Sequence, residues 1–375
     1  MSGRGPQALR ARLVLVDNVR RALARLTHLM DTYVRLPAPD EVRGALTDLA
    51  THVRRTPTVR MEPDTVADSP VTLKLETLQV TGTFKPRGAF ALLMGAEVPE
   101  AGVVAASGGN FGLALAHAAR ALGHRATVFV PATSPAEKID GLRRLGAVVE
   151  VVDGYYPEAL AASDEHVART GAMRAHAYDL PGNVLGAATL GAEIEDQVGC
   201  PDAVLVAVGG GGLIAGLASW FRDRCQVIAV ESEGCPTLHR ALEAGRPVDV
   251  DVGGLAVSSL GARTIGDHCW ATRAWIDDSL LVTDDHIRDT QHALWHHART
   301  MAEPGGAAAL AALRHGAYRP RAGAHVVAVV CGANVDPATV TGIPSGRVEP
   351  VELLTVDTSS RGTWSREEIY GDEGR

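Results

Sequence analysis

The chain has 375 residues, 46% hydrophobic and 21% charged, with 40 glycines and a formal net charge of −8. That length can bury one large core or two connected ones. The acidic balance argues against nucleic acid, whose binding needs a basic stripe, and no apolar run reaches the length of a membrane span.

Residues 1–36 place Leu9, Leu13, Val16, Val19, Leu23, Leu26 and Met30 at helical spacing among seven arginines. This predicts an amphipathic extension: an oligomer arm, a basic leader, or sequence upstream of a start at Met30. Strand-like and helix-like runs then alternate. Strands are expected at 103–106, 126–130, 147–152, 203–208, 227–230 and 326–330. Helices are expected at 113–122, 135–145, 157–169, 185–198, from 213 onward, and at 285–301. Such alternation predicts an α/β protein of parallel βα units, with open, mostly parallel twisted sheets flanked by helices. The acidic segment 343–375 is expected to be a loosely ordered tail. The five cysteines are an odd number without C-x-x-C spacing, which points to a reducing cytoplasm. Cys200, Cys225, Cys235 and Cys269 are expected to be small buried hydrophobes.

Only Lys74, Lys85 and Lys138 are lysines among the 36 basic residues. Arg keeps its proton at any accessible pH, whereas a desolvated Lys can lose it and attack a carbonyl. Lys85 is the best candidate for that chemistry. It follows Thr81-Gly82-Thr83-Phe84 at a turn entering a helix, with Pro86 expected at the first helical position. The helix dipole and the nearby Arg87 are both expected to disfavour a protonated amine there. Two glycine-rich turns follow, each between a strand and a helix: Ser107-Gly108-Gly109-Asn110, and Gly209-Gly210-Gly211-Gly212 before Leu213. Strand, glycine turn and helix N-terminus together make an anion site, because unobstructed N–H groups converge where the dipole favours negative charge. Neither turn is a G-x-x-x-x-G-K-[ST] loop, and the second does not fit G-x-G-x-x-G.

The run from Lys74 to Ala89, then Ser107 to Asn110, Gly209 to Leu213, Glu303-Pro304-Gly305-Gly306-Ala307 and Cys331-Gly332-Ala333-Asn334-Val335 resemble, in order, the motifs of the serine/threonine dehydratases. These are fold-type II, tryptophan-synthase-β-like enzymes that use pyridoxal 5′-phosphate, and the resemblance spans residues 43–340. It implies a large cofactor-binding domain of residues 37–78 and 183–342, with a small domain, 79–182, inserted into it. The ligand would lie in the cleft, beyond the strand C-termini. It further implies Lys85 as the Schiff-base lysine, with Phe84 beside it. Asn110 would bond the cofactor's 3′-oxygen, and Gly209, Gly210, Gly211, Gly212 and Leu213 would hold its phosphate. Cys331 would meet the pyridine nitrogen as a neutral partner. Ser107, Gly108, Gly109 and Asn110 would cradle the substrate carboxylate, and a homodimer is expected.

The implied reaction is α,β-elimination on L-threonine, L-serine or a related 3-hydroxy amino acid, giving a 2-oxo acid and ammonia, with Lys85 removing the α-proton. The alternatives are β-replacement or racemisation on the same fold. Racemases of this fold add a hydroxyl where this chain has Gly108, so racemisation is expected to be poor. Phe111 stands where many dehydratases have His, and Gly253 where Asp is frequent. Glu231 and the carbonyl of Cys235 match a monovalent-cation site, while capping of the following turn by Glu231 is the competing reading. Glu303 either lines the cofactor pocket or starts the next segment. His292, His296 and His297 lack metal-type partners and are expected on a solvated helix face.

Overall fold

The computed structural model describes residues 34–341; the expected N-terminal helix and acidic tail lie outside the described residues. Two sheets form. The larger has the order β1-β2-β10-β7-β8-β9, where β1 is Thr58–Met61, β2 Val71–Leu75, β7 Ala203–Ala207, β8 Gln226–Ser232, β9 Asp278–Val282 and β10 Val326–Val330. All of its pairings are parallel except β1 with β2. The smaller sheet is wholly parallel, in the order β5-β4-β3-β6, with β3 Val103–Ala106, β4 Ala126–Pro131, β5 Val148–Val152 and β6 Met173–Arg174. It therefore lies in sequence between β2 and β7.

The central strands of the large sheet are continuous apolar runs because helices cover both faces. Every residue of β7 (AVLVA) and β10 (VVAVV) is buried. The edge strand β5 instead leaves Val148 and Val151 exposed. One core surrounds the large sheet and a second lies under β3, β4 and the helix Asn110–Ala121. Among the described residues no helix is long and apolar enough to cross a membrane.

The helix Pro181–Val198 packs against the helix Lys85–Met94 so closely that a Cβ at Gly186 would lie 2.2 Å from the carbonyl oxygen of Arg87. Only glycine permits that approach. This helix starts four residues before the expected 185, because Pro181 in its first turn already has a helical φ. The helix expected at 285–301 runs Asp284–Ala298 and stops where Arg299 turns to φ 50°. Cys225, Cys235 and Cys269 are buried as expected, but Cys200 is exposed, at the turn between Pro181–Val198 and β7.

Candidate active site

The segment leading to Lys85 is laced to the loop after β10. Ala333 N–H donates to the Gly82 carbonyl at 2.9 Å and Phe84 N–H to the Cys331 carbonyl at 3.0 Å. Thr81 and Gly82 take positive φ to make the turn. Lys85 is the first residue of the helix Lys85–Met94, so Pro86 is second rather than first. The ammonium nitrogen of Lys85 lies 4.8 Å from the centre of the Phe84 ring and donates to the Ala177 carbonyl at 2.9 Å. Burial lowers its pKa to about 8, against the pull of Cys331 and Glu303.

Arg87 is not the group that lowers it. Its guanidinium points into the core, with Nε and Nη2 each 2.8 Å from the Glu76 carboxylate and Nη1 and Nη2 each 3.0 Å from Glu193. Burial alone would lower the pKa of Arg87, but these two carboxylates outweigh it and hold it above the usual value. Lys74 belongs to the same network. Its Nζ donates to Glu193 at 2.5 Å, to the Thr56 carbonyl at 2.6 Å and to Gln197 at 2.8 Å. Two cations and two carboxylates thus balance in a space from which water is excluded, as buried charges require. Its three donor positions taken, Lys74 has no amine to offer a ligand.

A closed chain of contacts links Lys85 to the second glycine turn. Next to Ala177, the Tyr178 ring stands 2.3 Å from where a Cβ would sit on Gly210, and its carbonyl 2.5 Å from a Cβ on Gly212. Tyr178 is held there by a 3.1 Å bond from its hydroxyl to the Thr264 carbonyl. Gly211 has φ +89° and faces Cys269. Thr237 Oγ1 donates to the Gly209 carbonyl and Gly266 N–H to that of Gly210, so both of these oxygens are engaged by protein donors. Among the described residues the N–H groups of Gly209 to Leu213 donate to no protein acceptor. Gly209 packs on Leu260; beside it, Ser259 accepts from Gly305 N–H at 2.9 Å, and the Gly305 carbonyl accepts from Cys331 Sγ at 3.4 Å. Cys331 returns the chain to Phe84 and Lys85. Burial keeps its thiol protonated.

The turn from Ser107 to Asn110 leads from β3 into the helix Asn110–Ala121. Ser107 Oγ accepts from Gly112 N–H at 3.3 Å, and a Cβ at Gly108 would meet Ser134 Oγ at 3.2 Å. Phe111 is buried in the small sheet's core. Asn110 Nδ2 donates to Glu303 Oε1 at 2.7 Å, so the Glu303 carboxyl contacts this turn as well as standing at the start of the helix Pro304–Arg314. Burial raises the Glu303 pKa to about 7, opposed by the Asn110 hydrogen bond, Lys138 and Lys85.

Glu231 lies at the end of β8, joined to the glycine turn through Thr237. Its carboxyl accepts from Leu238 N–H at 2.8 Å and His239 N–H at 2.7 Å, capping the helix Thr237–Ala244, with Thr237 Oγ1 3.0 Å away. Cys235 donates through Sγ to the Gly253 carbonyl. His296 and His297 are exposed on their helix. Tyr178 and Ser259 carry no expectation from the sequence, and Asn334 stands there only as part of the Cys331–Val335 motif. Tyr178-Asp179 just ahead of Pro181 marks a helix entry and could have drawn notice; Ser259 lies in a stretch without periodicity and carries no signal.

The profile of a family described as pyridoxal-phosphate dependent enzymes matches residues 49–332. The chain belongs to this family. Over 311 residues it is 34% identical to the phenylserine dehydratase of Ralstonia pickettii, covering 81% of this chain and 95% of that one. Over 273 residues it is 34% identical to a biosynthetic L-threonine dehydratase of Pasteurella multocida, covering 71% of this chain and 53% of that protein, about half its length. Among solved structures, maize serine racemase superposes with a TM-score of 0.74 at 26% identity, covering 81% of this chain and 96% of that one.

Proposed function

We infer that the protein is a pyridoxal-phosphate-dependent ammonia-lyase that removes the β-hydroxyl of L-threonine, L-serine or a related 3-hydroxy amino acid and yields a 2-oxo acid and ammonia. The observation that carries this is the Lys85 amine, lowered to about 8 by burial and set between the Cys331 loop and the glycine turn. The names of the phenylserine and threonine dehydratases among its relatives support a 3-hydroxy substrate.

The residues present suit the cofactor. Side chains at Gly210 or Gly212 would strike Tyr178, so glycine lets the turn pack against that residue; its N–H groups, without a protein acceptor among the described residues, stand at a helix N-terminus, which suits a phosphate. Lys85 would hold the aldehyde carbon, Asn110 the 3′-oxygen and Cys331 the pyridine nitrogen. When bound, the cofactor supplies an electron sink for the bond being broken at the α-carbon. The chain's residues do the rest. N–H groups of Ser107 to Asn110 take the substrate carboxylate and fix which α-bond faces Lys85. The neutral amine of Lys85 accepts the α-proton at Nζ. A thiol that stays protonated gives the ring nitrogen a neutral partner, which favours prompt loss of the hydroxyl over a long-lived carbanion. Gly108 offers no hydroxyl to return a proton from the opposite face, so elimination outruns inversion.

The same reading takes residues 79–182 as the small domain, and 37–78 with 183–342 as the large one. It also takes the protein as a cytoplasmic homodimer; the five free thiols support a reducing compartment. A monovalent cation at Glu231 and the Cys235 carbonyl would share a carboxylate that already caps a helix, and capping accounts for its burial.

Borohydride treatment tests the anchor. The yellow holoenzyme should bleach and carry reduced cofactor on the peptide containing Lys85. Label on the Lys74 or Lys138 peptide, or a protein that takes up no cofactor, contradicts this reading.

A further inference from the structure

The amide of Asn110 is tied at both ends. Its Oδ1 accepts from Asn334 Nδ2 at 2.8 Å, and its Nδ2 donates to Glu303 Oε1 at 2.7 Å. Asn334 Nδ2 also donates to the Thr81 carbonyl at 2.9 Å. A backbone carbonyl can only accept, so this contact decides which end of the Asn334 amide is nitrogen. Asn334 consequently faces Asn110 with an N–H, Asn110 must answer with oxygen, and its own nitrogen falls on the Glu303 side. Asn334 is itself seated by backbone: Ala333 N–H bonds the Gly82 carbonyl, and a Cβ on Gly82 would lie 2.6 Å from Asn334 Oδ1.

With one N–H spent on Glu303, the Asn110 nitrogen keeps a second to give. We propose that Asn334, with Glu303 as its counterpart, is a positioning residue that locks the Asn110 amide so that it offers N–H, and not carbonyl oxygen, to the cofactor's 3′-oxygen. This rests on the cofactor reading above. Turning the amide over would set two oxygens against each other at Asn110 and the cofactor, and would break both existing hydrogen bonds.

The test uses cofactor-free protein titrated by fluorescence with pyridoxal phosphate and with its 3-deoxy analogue, which lacks the oxygen in question. In Asn334→Asp no N–H faces Asn110, so its amide is expected to turn over. The dissociation constant for pyridoxal phosphate should rise about tenfold or more, and that for the 3-deoxy analogue by less than about twofold. Asn334→Ala and Glu303→Leu should show the same contrast more weakly, and they stand in if the Asp variant fails to fold. A loosened loop would weaken both ligands alike. Equal losses for the two ligands, or unchanged affinity for pyridoxal phosphate, overturn the proposal. Wild-type protein that binds neither ligand overturns the cofactor reading itself.

Discussion

Lys85 shows how much a single residue can disclose and where that stops. Its rarity in an arginine-rich chain and its place after a glycine turn were legible, because both are properties of the sequence. The cause of its lowered pKa was not. Arg87 is two residues away in sequence, yet its charge is consumed by Glu76 and by Glu193, which is 106 residues distant. Burial by neighbouring segments does the work instead. A lowered folded-state pKa means that between about 8 and the ordinary 10.5 the unfolded chain binds the proton and the folded one does not. Stability contributed by this group therefore increases with pH across that window, weakly, since the side chain is partly exposed. The larger consequence is kinetic. Uptake of pyridoxal phosphate by cofactor-free protein should speed up as pH rises towards about 8 and level off above it, as the attacking amine becomes neutral. Stopped-flow absorbance would follow it. A profile still climbing steeply up to the ordinary lysine range would show the amine to be unperturbed.

At the scale of elements, strands 203–207 and 326–330 were legible as apolar runs bounded by turns, and their burial on both faces explains the pattern. β2 was not, since Lys74 interrupts Val71–Leu75 with a charge that reads as a break. Distant partners make that lysine a core residue: Glu193, 119 residues away, and Gln197, with the Thr56 carbonyl. β6 has two residues and β9 begins on Asp278, so neither offers a periodicity to read. The glycine turn was visible as four glycines, but its need for them is tertiary: Tyr178, Cys269 and Leu260 press on it from three other segments. Gly211→Ala puts a Cβ into the left-handed region and against Cys269. It should cost roughly 1–3 kcal/mol of stability in urea unfolding and weaken cofactor binding about tenfold. Gly44→Ala, in open space on the helix Pro39–Leu49, should instead gain about 0.5–1 kcal/mol. Equal behaviour of the two variants would remove the turn from the site.

For the whole molecule, the loops of the two sheets are tied together by hydrogen bonds between Asn110, Glu303 and Asn334. The small-sheet side brings Ser107 to Asn110, and the large-sheet side brings the glycine turn, Glu303 and the Cys331 loop. The candidate site residues could be picked out along the sequence because each sits in a short local motif. Their pairings could not: Glu303 and Asn334 stand in motifs of their own, but that Asn110 bonds the first across 193 residues and the second across 224 is a tertiary fact. The central claim is that this arrangement performs elimination with Lys85 as its base. The most direct measurement supplies holoenzyme with L-threonine, L-serine and L-threo-phenylserine, and quantifies 2-oxo acid, ammonia and residual amino acid, with Lys85→Ala alongside. At least one substrate should give 2-oxo acid and ammonia in equal amounts, and Lys85→Ala should fall by roughly 10⁴-fold or to background. Product that is only another amino acid, or turnover by Lys85→Ala near the wild-type rate, would contradict the account.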